Sequence, residues 1–287
     1  MIDKYYNLIA DTKMQKYKNI TFEEYYNSYV KHKLKGYELR DILCGDFEVL
    51  EDIVSQLGTK YQKNNLIKEF FNYDKKKGKL SKLQPKISNF FEGYVEVHTC
   101  YYCNIDFINK FKTSKNNTKN NFTLDHFFDK AKYPYLALSL YNLVPSCYVC
   151  NSKVKHKDSI GDISPTSKNF DFDTKVKFKT FITDKNLQIK NTNDFDILLK
   201  EDFTTDYEQY INTLELDGRY QYHKYKVLEL IEKRKAYPDS RIKELAMVAK
   251  KTEEEVKQDI FGEYLSNDLH KHPLSKLIKD ITKELGL

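Results

Sequence analysis

The segment NLVPSCYVCN at residues 142–151 is the most informative part of the sequence, because it contains two cysteines at a spacing that binds a metal. A second pair of this kind, in the stretch CYYC, stands upstream at residues 100–103. A Cys-x-x-Cys pair places two thiolates on one tight turn, and two such pairs complete the tetrahedral shell of one structural Zn²⁺. The predicted zinc ligands are Cys100, Cys103, Cys147 and Cys150.

Two alternatives for these cysteines stay open, namely two separate buried pairs and a dithiol redox centre. The chain has five cysteines, an odd number that argues against a framework of disulfides. The fifth, Cys44, is expected to be a lone buried thiol. Residues 104–146 separate the two pairs, a longer gap than an ordinary zinc ribbon has, so we expect the chemistry of the protein inside this insert.

The insert contains an acid and a histidine side by side. Asp125 and His126 fall on a predicted strand, where neighbouring side chains point to opposite sides. Both can serve one reaction only if the strand is distorted or ends at this point. A histidine with its ordinary pKa near 6.5 is mostly neutral at neutral pH and can accept a proton. Taken alone, without the surrounding motifs, the two residues would be interpreted as an ordinary surface or capping pair.

Together these motifs resemble the HNH endonuclease family, over roughly residues 96–157. The shared elements are the Asp-His pair at 125–126, the Asn-Leu pair at 142–143 and the CYVCN segment at 147–151. The family's active site is a ββα-metal fold, so the resemblance implies two strands and a helix around a divalent ion. Asp129 stands where many members have a proline, which leaves the shape of the loop open.

The resemblance implies a role for each matching residue. His126 is implied as the general base, and Asp125 and Asn151 as ligands of a catalytic Mg²⁺ or Mn²⁺. Carboxylate and amide oxygens are hard ligands that suit these ions. Asn142 is implied to be structural, either orienting His126 or tying the loop to the strand. The implied reaction is the hydrolysis of DNA phosphodiester bonds.

Basic residues follow the second cysteine pair on or near the predicted helix. They are expected either to contact the phosphates of nucleic acid or to form a solvated basic face. Two further roles for histidine stay open: His156 as an additional metal ligand, and His98 in place of one zinc-binding thiolate. The candidate nucleic-acid-binding residues are Lys153, Lys155 and Lys157.

The predicted fold class is α+β and mostly helical, in three parts. Residues 1–92 form an N-terminal helical region, and residues 93–160 form the zinc-stabilised ββα-metal (HNH) core. Residues 161–287 form a β-hairpin followed by helices, as a region for partner or substrate binding. Capping boxes, in which a threonine and a glutamate three residues later cap each other, predict helix starts at Thr21 and Thr252.

Four more stretches have weaker patterns. The polar run at 112–121 is expected to be a loop, and the basic run at 75–79 either a solvated loop or a phosphate contact. Alternating apolar residues between 170 and 189, with a turn at 184–186, predict a hairpin. The stretch 241–265 faintly suggests a helix-turn-helix, although two packed helices give the same pattern.

Composition sets wider bounds. The 287 residues are 40 % hydrophobic and include 23 Tyr and 18 Phe, which argues against a disordered chain. Nine Gly and six Pro are few, which favours long helices over a turn-rich β-sandwich. The chain has no apolar run of transmembrane length or of signal-peptide type, so a cytoplasmic location is expected. A net charge of +6 permits a polyanionic partner without requiring one.

The resemblance extends to HNH effector nucleases of bacterial anti-phage defence, such as the nuclease subunit of Septu systems, which works beside an ATPase. This likeness implies a DNA substrate and an ATPase partner, with no membrane. A stand-alone restriction or homing-type HNH nuclease is a second possibility. A third is a non-catalytic, zinc-stabilised module that binds nucleic acid or protein, which would need the cysteine pairs but not Asp125 and His126.

Overall fold

The structure is a computed structural model, and its class is α+β, as predicted. About half of the chain is helical, and the strands that it describes form two-stranded sheets. No helix among these residues is both long and apolar enough to cross a membrane. The basic run at 75–79 and the last residues of the 241–265 stretch lie outside the described residues. The described residues are 1–14, 20–73, 83–94, 98–116, 118–156, 158–185, 187–202, 204–262 and 271–287.

The chain divides into two compact units that are both discontinuous in sequence. The first contains Met1–Val97, Ile108–Lys157 and Asp162–Phe170. The second contains His98–Phe107, Asp158–Gly161 and Asp171–Leu287. The predicted division at residues 92 and 160 stays a prediction.

The first unit begins with short helices whose ends follow local sequence signals. The Thr21 hydroxyl accepts a hydrogen bond from the Glu24 amide at 3.1 Å, so the predicted capping box is confirmed. A π-turn and a 3-10 turn extend this helix. The helical segment ends at Lys35 and Gly36, which both have a positive φ. The helices are α1 Ile2–Ala10, α2 Phe22–Tyr25, α3 Leu39–Cys44, α4 Phe47–Leu57, α5 Asn65–Phe70 and α6 Leu83–Tyr94.

Aromatic rings fill the core of this unit. Phe22 of α2 stacks on Phe70 of α5 with ring centroids 4.1 Å apart, and Tyr5 of α1 meets Phe90 of α6 at 4.9 Å. These four side chains are at most 2 % exposed. Each such pair contributes about 0.5–1.5 kcal/mol beyond the burial of its area. The helices therefore pack through rings, in keeping with the high content of Tyr and Phe.

A strand pair followed by a helix comes later in the first unit. Strand β3, Thr123–His126, is antiparallel to β4, Leu143–Ser146. Two single 3-10 turns, Pro134–Leu136 and Leu140–Asn142, lie on the connection between the strands. A π-helix, Val149–Lys155, follows β4 directly. The order strand, strand, helix is the one that the sequence motifs imply.

The polar run at 112–121 is not simply a loop. Strand β1, Lys110–Lys112, pairs with β2, Thr118–Asn120, in an antiparallel hairpin. The prediction of a loop was wrong there, because composition does not report backbone pairing. Side-chain contacts fix this hairpin on α6: the Lys110 ammonium lies 2.6 Å from the Glu92 carboxylate.

The second unit combines one long hairpin with helices, as predicted for the C-terminal region. Strand β5, Val176–Ile182, is antiparallel to β6, Phe195–Glu201. The position of the second strand differs from the prediction. It begins at Phe195 and not at Leu187, whose φ of +53° lies outside the range of a strand. The helices are α7 Phe172–Lys175, α8 Glu208–Thr213, α9 Leu216–Gln221, α10 Lys224–Ala236, α11 Asp239–Ala249, α12 Glu253–Phe261 and α13 Ser275–Glu284.

Helix side chains cover both edges of the β5–β6 ribbon. On α13, the Asp280 carboxylate accepts a hydrogen bond from the Phe178 amide of β5 at 2.9 Å. On α9, the Asp217 carboxylate accepts one from the Leu199 amide of β6 at 2.8 Å. An uncovered strand edge invites pairing with another chain, and these carboxylates satisfy the amides instead. The ribbon is therefore a structural element of the unit.

Helices α11 and α12 occupy the stretch with the faint helix-turn-helix pattern. Lys250 ends α11 in the left-handed region, and the capping box of Thr252 and Glu255 begins α12. The Glu255 amide donates to the Thr252 hydroxyl at 3.1 Å, so this prediction is confirmed as well. Two packed helices are thus present, and DNA reading by them stays a prediction.

Candidate active site and metal centre

The four predicted zinc ligands come together. The sulfur atoms of the two Cys-x-x-Cys pairs all lie within 4.8 Å of one another, and all four residues are at most 4 % exposed. No cysteine of the chain is in a disulfide. Four sulfurs at about this separation fit the tetrahedral shell of Zn²⁺, whose Zn–S distances are about 2.3 Å. The cluster can hold a metal ion such as zinc.

Backbone amides support both turns of the cluster. The Ile105 amide donates to the sulfur of Cys103, and the Cys150 amide to that of Cys147, each at 3.4 Å. Such bonds stabilise the thiolate form that binds a metal. Cys44 is different: burial raises the pKa of its thiol to about 11, so it stays protonated and unreactive.

Asp125 lies in β3 opposite Val144, with its side chain 9 % exposed. Its Oδ2 atom lies 2.9 Å from the ammonium nitrogen of Lys155, whose side chain is 5 % exposed. Lys155 is one of the residues for which the sequence suggests a phosphate contact. In the structure this ammonium faces a carboxylate inside the protein, and the contact with phosphate stays a prediction.

His126 ends β3 and faces the loop that joins the two strands. Its Nε2 atom lies 3.0 Å from the carbonyl oxygen of Ala137 and 3.4 Å from the hydroxyl of Tyr73. A carbonyl oxygen can only accept, so Nε2 carries the proton in this arrangement and Nδ1 has the lone pair. Burial, assisted by the positive charge of Lys130, lowers the pKa of His126 from 6.5 to about 3. The ring is therefore neutral at neutral pH, and a pKa this low makes it a weak proton acceptor in this arrangement.

Asn142 ties the loop to the start of β4. Its amide oxygen accepts from the Phe128 amide at 2.7 Å, and its amide nitrogen donates to the carbonyls of Phe128 at 3.1 Å and Leu136 at 2.9 Å. The side chain is completely buried. Of the two roles that the resemblance implied for Asn142, the contacts support tying the loop.

Asn151 lies on the π-helix directly after Cys150. Its amide nitrogen donates to the Thr123 hydroxyl of β3 at 2.8 Å. This orientation leaves the amide oxygen as the atom that can bind a cation. Asn151 and Lys155 thus both reach β3, where Thr123 and Asp125 are two residues apart on the same face.

The remaining predicted residues are more dispersed. Lys153 is exposed and lies over the Tyr148 ring at 5.9 Å, whereas Lys157 lies outside the described residues. His98 and His156 are exposed, and neither belongs to the cysteine cluster. Asp129 accepts from the Ala131 amide at 2.8 Å, so it shapes the turn where a proline was expected.

Sequence reasoning missed two neighbours of His126. Tyr73 stands 53 residues upstream at the end of the helical region, outside any motif. Ala137 contributes only a backbone carbonyl, for which the type of residue gives no signal. No pattern in the sequence identifies such partners, because the packing of the first helices against the loop places them.

The comparisons with known proteins found no relative. No family model, no curated protein and no solved structure matches the chain. The contacts of the described residues therefore carry the functional argument.

Proposed function

We propose that this chain is a metal-dependent HNH endonuclease that hydrolyses DNA phosphodiester bonds. The observation that carries the proposal is the arrangement around β3. His126 ends the strand with a neutral, oriented ring, Asp125 precedes it, and Asn151 approaches the same strand from the helix. This arrangement supports a base and two oxygen ligands on one strand–strand–helix frame. Because β3 ends at His126, it meets the condition under which both neighbours can serve one site.

His126 is the general base of the proposed reaction. Its Nδ1 atom takes a proton from a water molecule while the water oxygen forms a bond to phosphorus. The bond from phosphorus to the 3′ oxygen breaks, and that oxygen leaves and takes up a proton from solvent. The hydrogen bond from Nε2 to the Ala137 carbonyl holds the required tautomer and stabilises the ring once it is protonated.

Asp125 and Asn151 would hold the divalent ion, Mg²⁺ or Mn²⁺, through a carboxylate and an amide oxygen. When bound, such an ion stabilises the negative charge that develops on the scissile phosphate. Lys155 now neutralises Asp125, so the ion requires the Lys155 side chain to turn away. Structural zinc would belong to the cysteine cluster, where it fixes the start of the helix that carries Asn151.

The proposal includes a cellular setting. We assign the chain to the cytoplasm as an anti-phage effector that works with an ATPase partner. The likeness of the residues 125–147 to defence HNH effectors supports this setting, and so do the five cysteines without disulfides. An ATPase gene beside the coding gene would favour the effector over a stand-alone restriction or homing nuclease.

A non-catalytic zinc module is the second candidate function. The observation that favours it is the ion pair of Lys155 and Asp125, which already supplies a cation to the carboxylate. Such a module would bind nucleic acid or protein through the frame that the cysteines stabilise. It predicts that DNA is not cleaved, whatever divalent ion is added.

Plasmid cleavage tests the two candidates. Supercoiled plasmid is incubated with the purified chain and Mg²⁺ or Mn²⁺, with and without a co-expressed partner. His126→Ala is expected to lower the rate by roughly 10²–10⁴-fold, whereas exposed His32→Ala leaves it unchanged. Cleavage that His126→Ala does not affect removes the base assignment. Binding without cleavage under every condition supports the zinc module.

A further inference from the structure

The β1–β2 hairpin is a basic surface that the proposed catalytic residues do not use. No acidic residue occurs between Asp106 and Asp125, while this stretch contains four lysines. They are Lys110, Lys112, Lys115 and Lys119. The stretch leads directly into β3 of the same compact unit.

One lysine anchors the hairpin and the other three remain outside. The Lys110 ammonium lies 2.6 Å from the Glu92 carboxylate and 2.5 Å from the Asn89 amide oxygen, and its side chain is 7 % exposed. Asn120 of β2 is hydrogen-bonded to Ser88 of the same helix. These contacts hold the hairpin on α6. Three lysines of this hairpin are exposed and have no carboxylate partner among the described residues. They are Lys112, Lys115 and Lys119.

An exposed aromatic ring shares one face of the hairpin with one of these lysines. Phe111 is 48 % exposed and is paired across the strands with Lys119, so both side chains lie on one face. Lys112 is on the other face, and Lys115 is in the turn. An open cavity of about 760 Å³ lies between the hairpin and α6. An exposed ring beside unpaired lysines suits a ligand that has both phosphates and flat bases.

We propose that this hairpin binds a single-stranded segment of DNA, with the three exposed lysines on phosphates and Phe111 stacked on a base. Single-stranded binding sites combine a basic groove with aromatic rings, because only unpaired bases offer a free face. The proposal rests on the proposed function, since it locates where that nuclease holds its substrate. This hairpin site is separate from the lysines after the second cysteine pair, because those lysines follow β4.

Binding of a labelled single-stranded oligonucleotide by the full chain, without added divalent metal, tests the proposal. The triple variant Lys112→Gln, Lys115→Gln, Lys119→Gln is expected to raise Kd at least 10-fold at low salt. Three phosphate contacts contribute about 2 to the slope of log Kd against log salt, and the variant should lose this amount. The matched control is Lys33→Gln, Lys63→Gln, Lys68→Gln, which removes three exposed charges elsewhere in the same unit.

The aromatic contact has its own variant. Phe111→Leu retains an apolar side chain and is expected to raise Kd about 5-fold or more, because stacking on a base contributes about 1–3 kcal/mol. For a duplex of the same nucleotide sequence, the Kd of this variant should equal that of the unchanged chain. An unchanged Kd of Phe111→Leu for the single strand overturns the stacking contact.

The outcomes separate this inference from the proposed nuclease. Equal affinity and salt slope of the two triple variants, or no binding of single-stranded DNA by the unchanged chain, overturn the hairpin site. Normal cleavage in those cases leaves the nuclease standing. Loss of affinity in the hairpin variants supports the single-strand site. If the unchanged chain then cleaves no DNA, with or without the co-expressed partner, the site stands and the proposed nuclease is contradicted.

Discussion

Lys155 and Asp125 form an ion pair inside the protein, with Nζ 2.9 Å from Oδ2 and side chains 5 % and 9 % exposed. One turn earlier on the π-helix, Asn151 is hydrogen-bonded to Thr123, two residues before Asp125. The helix therefore contacts one face of β3 at two successive positions. This helix, Val149–Lys155, is a π-helix along its whole length, and both of its contacts reach the same strand.

Removal of the Lys155 ammonium should make the stability of the chain depend on divalent metal. Lys155→Met takes the cation away from a buried carboxylate, which costs about 3–5 kcal/mol. If Asp125 binds a divalent ion, Mn²⁺ should raise the melting temperature of this variant more than that of the unchanged chain. Thermal unfolding with and without Mn²⁺ measures the difference.

Two further variants are the controls for Lys155→Met. Lys153→Met removes an exposed lysine from the same helix and should change neither the stability nor the response to Mn²⁺. The double variant Asp125→Asn, Lys155→Met should recover stability without responding to the metal. A response that persists in the double variant would place the ion elsewhere.

The buried neutral ring of His126 should make the first unit sensitive to acid. The pKa is about 3 in the folded chain and near 6.5 in the unfolded chain. Between these values the unfolded state binds one more proton, so stability is lost as the pH falls below about 6.5. From pH 7 to pH 5 the loss is about 2 kcal/mol. Urea unfolding at both values should show this loss in the unchanged chain but not in His126→Gln. Equal losses in the two proteins would contradict the lowered pKa.

Loss of one cluster cysteine should remove the metal, and loss of the lone cysteine should not. Cys147→Ser is expected to lower the bound zinc well below one ion per chain and to lower the melting temperature, because binding of structural zinc contributes to folding. Cys44→Ser changes an equally buried thiol outside the cluster and should retain the zinc. Metal analysis together with thermal unfolding checks both. Full zinc content in Cys147→Ser would contradict the four-cysteine site.

Asn142 should contribute more to stability than a surface asparagine does. Asn142→Ala removes three side-chain hydrogen bonds to the backbone of the loop and leaves an unfilled space. At about 1 kcal/mol for each bond, we expect a loss of roughly 3 kcal/mol. Exposed Asn7→Ala is the control. Chemical unfolding measures both, and equal stabilities would show that the loop is held by other contacts.

Local signals in the sequence predicted several features correctly. The capping boxes at Thr21 and Thr252 begin helices, because a cap depends on residues three positions apart. Each Cys-x-x-Cys turn brings its own pair of sulfurs together, as the short spacing predicts, and the four sulfurs lie close together. The order of β3, β4 and the following helix also agrees with the motifs.

Errors arose where distant contacts decide the structure. The run at 112–121 contains a hairpin because β1 and its partner strand pair and because Glu92 and Asn89 of α6 hold Lys110. Strand β6 begins at Phe195 because the buried alternation of Phe195, Ile197 and Leu199 is satisfied there. Composition and short periodicity contain no information on such partners.

Residue types and their order along the chain were enough to predict the class of the fold, the cysteine turns, the helix caps and the candidate residues. The caps and the cysteine turns depend on residue types at short, fixed spacing along the chain. Only the tertiary structure decided that Lys155 faces Asp125, that Ala137 and Tyr73 contact His126, and that Asn142 ties the loop. The physical reason is that burial and hydrogen-bond partners arise when distant segments pack, and these surroundings set the charge and direction of each side chain.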